Sequence, residues 1–176
     1  MLLLAIDPGN IESGYVLICD GYKPVMHGKV PNEELLTLSR RWEYDTLVIE
    51  MVAHYGKGMP AGKTVFDTCV WIGRFMQEAA RRRVPAHTIL RGEEKINLCG
   101  SAKAKDANIR QALIDRFART ENGKGTKKEP DFFYGFAADA WQAYAVGVTW
   151  LDKQEAAHGA GDTTRAKAIQ TAAWRS

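Results

Sequence analysis

The sequence predicts an α/β fold: a five-stranded mixed β-sheet flanked by helices, with three antiparallel strands followed by parallel ones. Three observations carry that expectation. The first thirty residues hold three short β-rich runs divided by turn residues, helical and strand patterns then alternate, and 176 residues with 45% hydrophobic content suffice for one buried core.

Taken in order, Leu2–Asp7, Gly14–Ile18 and roughly Pro24–Val30 read as consecutive strands, separated by Pro8-Gly9-Asn10 and by Asp20-Gly21. Pro31-Asn32-Glu33-Glu34 opens a helix to about Trp42, with Asn32 as its cap, and Thr46–Glu50 returns as a buried strand. Gly56, Gly58, Pro60 and Gly62 make the next stretch a loop. Val65, Cys69, Ile72, Phe75, Met76 and Ala79 then recur at amphipathic spacing, which predicts a helix from about Lys63 to Arg83 whose terminal arginines complement the helix dipole. Val84–Leu90 is a fifth strand, and Ala104–Ala118 is a helix with Ile109, Leu113, Ile114 and Phe117 on one side. Tyr134–Trp150 forms the last long helix, turning Ala138, Trp141, Ala145 and Val148 toward the sheet. Four of the five tryptophans, Trp42, Trp71, Trp141 and Trp150, fit a core or a subunit contact better than a stacking platform. Residues 1–151 are expected to be one domain and residues 152–176 a weakly helical or mobile extension, because Ala, Gly and Thr dominate there and Gly159 and Gly161 interrupt it.

Composition narrows the class further. No apolar run reaches the roughly 20 residues of a membrane span, and Met1–Ile6 ends in an acid, so a cytoplasmic protein without membrane contact is expected. Cys19, Cys69 and Cys99 lack CxxC or Cys/His spacing, which predicts buried free thiols in place of a disulfide framework or a zinc site. The formal net charge is +3, yet Ser101–Lys128 alone carries eight basic residues against three acidic ones. That local surplus suits a phosphate backbone.

Two acids end apolar strands, Asp7 in Leu2-Leu3-Leu4-Ala5-Ile6-Asp7 and Glu50 in Leu47-Val48-Ile49-Glu50, and a third, Asp139, lies in Gly135-Phe136-Ala137-Ala138-Asp139-Ala140 on the last helix. An acid beside a core is unfavourable unless a cation sits there. Clustered carboxylates would repel one another, and a pair of Mg²⁺ or Mn²⁺ ions, about 4 Å apart in known two-metal sites, relieves this while activating water for phosphodiester hydrolysis.

Ala5-Ile6-Asp7-Pro8-Gly9 with Ser13-Gly14-Tyr15, then Val48-Ile49-Glu50, then Ala138-Asp139-Ala140 in a terminal helix, together resemble the RuvC family of Holliday junction resolvases within the RNase H-like superfamily. The resemblance spans about residues 2–150 and implies an RNase H-like nuclease domain over 1–151. Carried over residue by residue, it implies that Asp7, Glu50 and Asp139 are the catalytic metal ligands, with two Mg²⁺ per site, Mn²⁺ able to substitute, and 5′-phosphate and 3′-hydroxyl ends. It also implies a homodimer, with the Lys63–Arg83 helix as its contact, that places paired symmetric nicks in a four-way DNA junction during recombination and repair, in a bacterium or in the host cytoplasm of a phage. One position departs from the pattern: where the family carries an acid or histidine three residues before the last aspartate, this chain has Phe136, which leaves Asp131 or Glu129 as loop acids for that role.

Lys103 and Lys105 resemble the family's lysine region at the scissile phosphate, with Lys105 preferred. Tyr55, in the glycine-rich loop after Glu50, fits stacking on an unpaired base, and Lys57 and Lys63 fit phosphate contacts. Arg110, Lys124, Lys127 and Lys128 extend the expected DNA surface, and His54 is read as an incidental neighbour in preference to a metal ligand or proton-transfer group. Three other readings stand beside this one: a nuclease for forks or flaps, a catalytically silent junction-binding protein, and a sugar-kinase or actin-like ATPase, for which the chain is too short.

Overall fold

A computed structural model describes residues 1–53 and 62–173, with side chains apart from those of 138 and 159–173. Its centre is a five-stranded sheet in the order β3-β2-β1-β4-β5, formed by β1 (Leu3–Asp7), β2 (Glu12–Ile18), β3 (Pro24–Pro31), β4 (Thr46–Met51) and β5 (Ala86–Leu90). β1 pairs antiparallel with β2, and β2 with β3, whereas β4 runs parallel to both β1 and β5. The mixed sheet read from the sequence is the one observed.

Side-chain alternation divides the sheet into two faces. Leu4, Ile6, Tyr15, Leu17, Leu47 and Ile49 pack with α1 (Asn32–Arg41) and α2 (Lys63–Arg81) through Leu35, Leu36, Ile72, Phe75 and Ala79. Leu3, Ala5, Val16, Ile18, Val48 and Ile89 form the opposite face, covered by α4 (Asp106–Phe117) and the last helix, α5 (Ala138–Ala173). From Ala140 to Trp150 α5 is buried nearly all round, with Trp141, Tyr144, Ala145, Val146 and Val148 in the core. Trp141, Ala145 and Val148 point inward as predicted.

Several local expectations are corrected. A helix absent from the sequence reading, α3 (Arg91–Cys99), follows β5 without a connecting loop. Glu93 in its first turn favours the helix dipole, and Gly100 at φ 66° ends it in the left-handed region. Asn32 does not cap α1: Pro31 occupies that position, and Asn32 is buried, donating from Nδ2 to the Gly9 carbonyl and accepting from Ser13 Oγ at 2.5 Å. α5 begins at Ala138, later than Tyr134, because Gly135 adopts φ 81° and Phe136 turns into the core. The helix then continues through Ala173. The three cysteines are free but half-buried. Among the described residues, no helix is long and apolar enough to cross a membrane.

Candidate active site

The strand register aligns the candidate side chains in a row on the α5 face. In β1, Leu3 and Ala5 face α5, so Asp7 does too; Val48 sets the same direction for Glu50 in β4. The two carboxylates follow directly on the last paired residues, Ile6 and Ile49. On the other side, Asp7 lies opposite Gly14 of β2, and Gly14 lies opposite Lys29 of β3. The row therefore reads Glu50, Asp7, Gly14, Lys29 across four strands.

Asp139 enters this row from above. A Cβ on Gly14 would stand 2.6 Å from the Asp139 carbonyl oxygen and 2.8 Å from its Cβ, so the bare glycine is what lets the first turn of α5 rest on the sheet. Asp139 thus sits over Gly14, between Asp7 and Lys29. One shallow cavity is lined by Asp7, Gly9, Glu12, Lys29 and Asp139, and a second by Asp7, Glu50, Val52 and Arg91. Asp7 is common to both and forms the midpoint.

The turn after Asp7 is fixed from behind. Gly9 N–H donates to Ser13 Oγ at 3.2 Å, Ser13 Oγ donates to Asn32, and Asn32 N–H donates to the Ile11 carbonyl at 2.9 Å. Both side chains are buried, so this bracket sets the exit angle of β1.

Each end of the row meets a cation that sequence reasoning missed. Arg91, at the start of α3, places Nη1 3.4 Å from Glu50 and 3.0 Å from Glu94, and Nη2 2.6 Å from Asp106. Lys29 Nζ lies 2.8 Å from Asp139 Oδ2 and 3.4 Å from Glu12 Oε2. Arg91 could have been found only by knowing that α3 starts directly at the end of β5. Lys29 could have been found from its two-residue spacing to His27, once the β2–β3 register was known.

Electrostatics mark the centre of the row. Burial, then the Glu50 carboxylate, push the Asp7 acid up to about 7, with Asp139 adding to the effect and Arg91 opposing it. Glu50 is raised as well, chiefly by burial and against the pull of Arg91. Glu94 is fully buried, and burial followed by repulsion from Glu50 pushes its acid up, against the pull of Arg91. Its Oε1 has no hydrogen-bond partner. Arg91 only partly offsets the burial of Asp7 and Glu50, and their hard oxygen donors suit Mg²⁺ or Mn²⁺. Among the described residues, however, no three His, Cys, Asp or Glu side chains are already closed around one ion.

The other expected residues fall as follows. Phe136 is buried, its ring 4.3 Å from that of His27 and edge-on to Trp141 and Phe133, so it anchors the approach to α5. Asp131 is engaged within its own loop: it accepts from the Thr120 hydroxyl and from the Phe132, Arg119 and Thr120 N–H groups, which hold its acid well below the usual range. Glu129 is exposed on the same loop. Lys103 and Lys105 are exposed just before α4, Lys105 preceding the Asp106 that binds Arg91. Arg110 lies one turn further along, its guanidinium 4.9 Å from the Trp141 ring. Lys127 and Lys128 are exposed and Lys124 half-buried, whereas Arg116, from the same basic segment, is committed to Asp152 through two 2.8 Å bonds. Lys63 starts α2 and pairs with Asp67 at 2.5 Å. His54, Tyr55 and Lys57 lie outside the described residues.

Strand order, pairing sense and acids at the ends of β1 and β4 beneath a C-terminal helix define the RuvC/RNase H-like fold class. Among solved structures the chain is similar to "Thermus thermophilus RuvC structure", with TM-score 0.60 and 16% identity over 85% of this chain and 92% of that one. It is likewise similar to "T. thermophilus RuvC in complex with Holliday junction substrate", with TM-score 0.62 and 14% identity over the same shares, 85% and 92%. No protein-family model matches the chain, and no curated protein matches it.

Proposed function

We propose that this chain is a RuvC-like, divalent-metal-dependent endodeoxyribonuclease that resolves four-way DNA junctions by paired symmetric nicks. The observation that carries the reading is the row Glu50, Asp7, Asp139 across β4, β1 and α5, within the fold of a RuvC known in complex with a Holliday junction. In this reading residues 1–151 are the nuclease unit and residues 152–176 its extension.

Asp7 and Glu50 supply hard oxygen donors from adjacent strand ends, and Asp139 contributes a third from the helix above. Mg²⁺ or Mn²⁺ bound there supplies an activated water and charge stabilisation for phosphodiester hydrolysis. The Ser13–Asn32 bracket keeps Asp7 in position, and Arg91 orients Glu50. Lys103, Lys105, Arg110, Lys124, Lys127 and Lys128 bind the phosphate backbone, with Lys63, Tyr55 and Lys57 acting from the region after β4. Of the two candidate lysines, Lys105 is the one adjacent in sequence to the Arg91–Asp106 pair.

A homodimer through α2 is part of the proposal. Phe66 and Val70, one helical turn apart, are 61% and 62% exposed on that helix, and Gly73 continues their face with open space beside it. Two symmetric sites would then face two strands of one junction.

The deciding experiment incubates the full chain with an immobile four-way junction, a fork, a flap and linear duplex, each with and without Mg²⁺. Symmetric Mg²⁺-dependent nicking of the junction alone, leaving 5′-phosphates, is expected. Equal cutting of forks and flaps would widen the substrate to branched DNA, and junction binding without cutting would make the chain a silent binding protein.

A further inference from the structure

We infer that the Lys29 ammonium occupies the second cation position of the row, so that each protomer works with one divalent ion, held between Asp7 and Glu50, in place of the two expected from the sequence. The inference rests on the proposed nuclease reading for its meaning, but its geometry stands apart from the substrate.

The register gives Lys29 its place. It shares the row with Gly14 and Asp7, and because Gly14 has no side chain, Asp139 drops into the gap and meets Lys29 at 2.8 Å. Glu12 holds the same Nζ from the far side at 3.4 Å, so the ammonium sits between two carboxylates. A second metal ion would need those same oxygens. Among the described residues the additional donors it requires are missing: one turn before Asp139 stands Phe136, packed on His27, and Asp131 has spent its oxygens on the Arg119–Thr120 loop.

The row's two fixed cations are both engaged by carboxylates, Lys29 by Asp139 and Glu12, and Arg91 by Glu50, Glu94 and Asp106. In this arrangement Lys29 takes the charge-stabilising role on the Asp139 side of a bound phosphate, and no second ion enters.

The test counts ions on the full chain by Mn²⁺ electron paramagnetic resonance. The wild type is expected to bind one Mn²⁺ per protomer with no spin coupling between ions. Lys29→Ala, an exposed edge-strand change checked for folding by circular dichroism, releases Asp139 and Glu12 and should bind two, with a coupled spectrum; Lys29→Arg should keep one. In parallel, single-turnover cleavage by the wild type should rise with the first power of Mg²⁺ concentration. Lys29→Ala should cut at least about tenfold more slowly at low Mg²⁺, with a steeper Mg²⁺ dependence. A wild-type count of zero or two, or an unchanged count in Lys29→Ala, overturns the inference. A wild type that binds one ion and cuts no junction overturns the substrate reading and leaves the role of Lys29 in ion number intact.

Discussion

The two ends of the acid row solve the same problem in different surroundings. At the Glu50 end, Arg91 and Glu50 are 19% and 18% exposed and rest on the fully buried Glu94; at the Asp139 end, Lys29 and Asp139 are 45% and 35% exposed. The first pair lies in a medium where charge is poorly screened, so removing one partner strands the other, whereas water can replace either partner of the second. The Glu50 end is thus the more sensitive to loss of a partner, and the Asp139 end the less.

The largest effect should come from the midpoint that both ends share. Asp7→Asn removes the ligand common to both cavities and should lower single-turnover cleavage by about a thousandfold or more, equivalent to several kcal/mol of metal-derived stabilisation, while gel-shift affinity for a junction stays within about twofold. Binding that falls in step with cleavage would instead give Asp7 a structural role.

Next is the contrast between the cations. Arg91→Ala leaves Glu50 beside a buried Glu94 and should destabilise the protein by about 1–3 kcal/mol after allowance for the water that reaches the site. That is a fall of several degrees in melting temperature, whereas Lys29→Ala should leave the melting temperature unchanged. Equal shifts for the two variants would erase the distinction between the ends.

Gly14→Ala tests the Asp139 end without touching a charge. The added methyl meets the Asp139 backbone, so α5 must lift from β2, with an expected loss of about 1–3 kcal/mol and a matching drop in cleavage. Normal activity at normal stability would mean that Asp139 need not rest on the sheet.

The mildest probe is pH. The Asp7 acid is raised in the fold from an ordinary 3.8 to about 7, so below about pH 4 both folded and unfolded chains carry its proton. Between these values the unfolded chain ionises first, and metal-free stability falls as pH rises toward 7. Metal binding must expel that proton, so Mn²⁺ affinity should rise by up to about tenfold per pH unit below 7 and level off above it. Calorimetric titrations from about pH 5.5 to about pH 8.5 check this; a flat profile would show that Asp7 is already ionised.

Much of this comparison was legible in the sequence, though unevenly. Asp7 and Glu50 each close an apolar strand, a pattern that survives without knowledge of the partners, and Asp139 was readable from its place in the last helix. The mixed sheet followed from the element order. Arg91 was hidden because α3 has few apolar residues and abuts β5, leaving no loop to announce it. Lys29 was hidden for a different reason: its role depends on register across three strands and on a neighbour that lacks a side chain, and neither is a local property. Asn32 looked like a cap by residue type, yet its amide is spent on Gly9, a contact across the fold that no local pattern encodes.

The parallel pairing of β1 with β4 brings Asp7 and Glu50 together through neighbouring strand ends, whereas Asp139 joins them only through the seating of α5 over Gly14. The Lys29–Asp139 contact therefore depends on a closure of much longer range along the chain. Its formation during refolding would time the seating of α5 on the sheet.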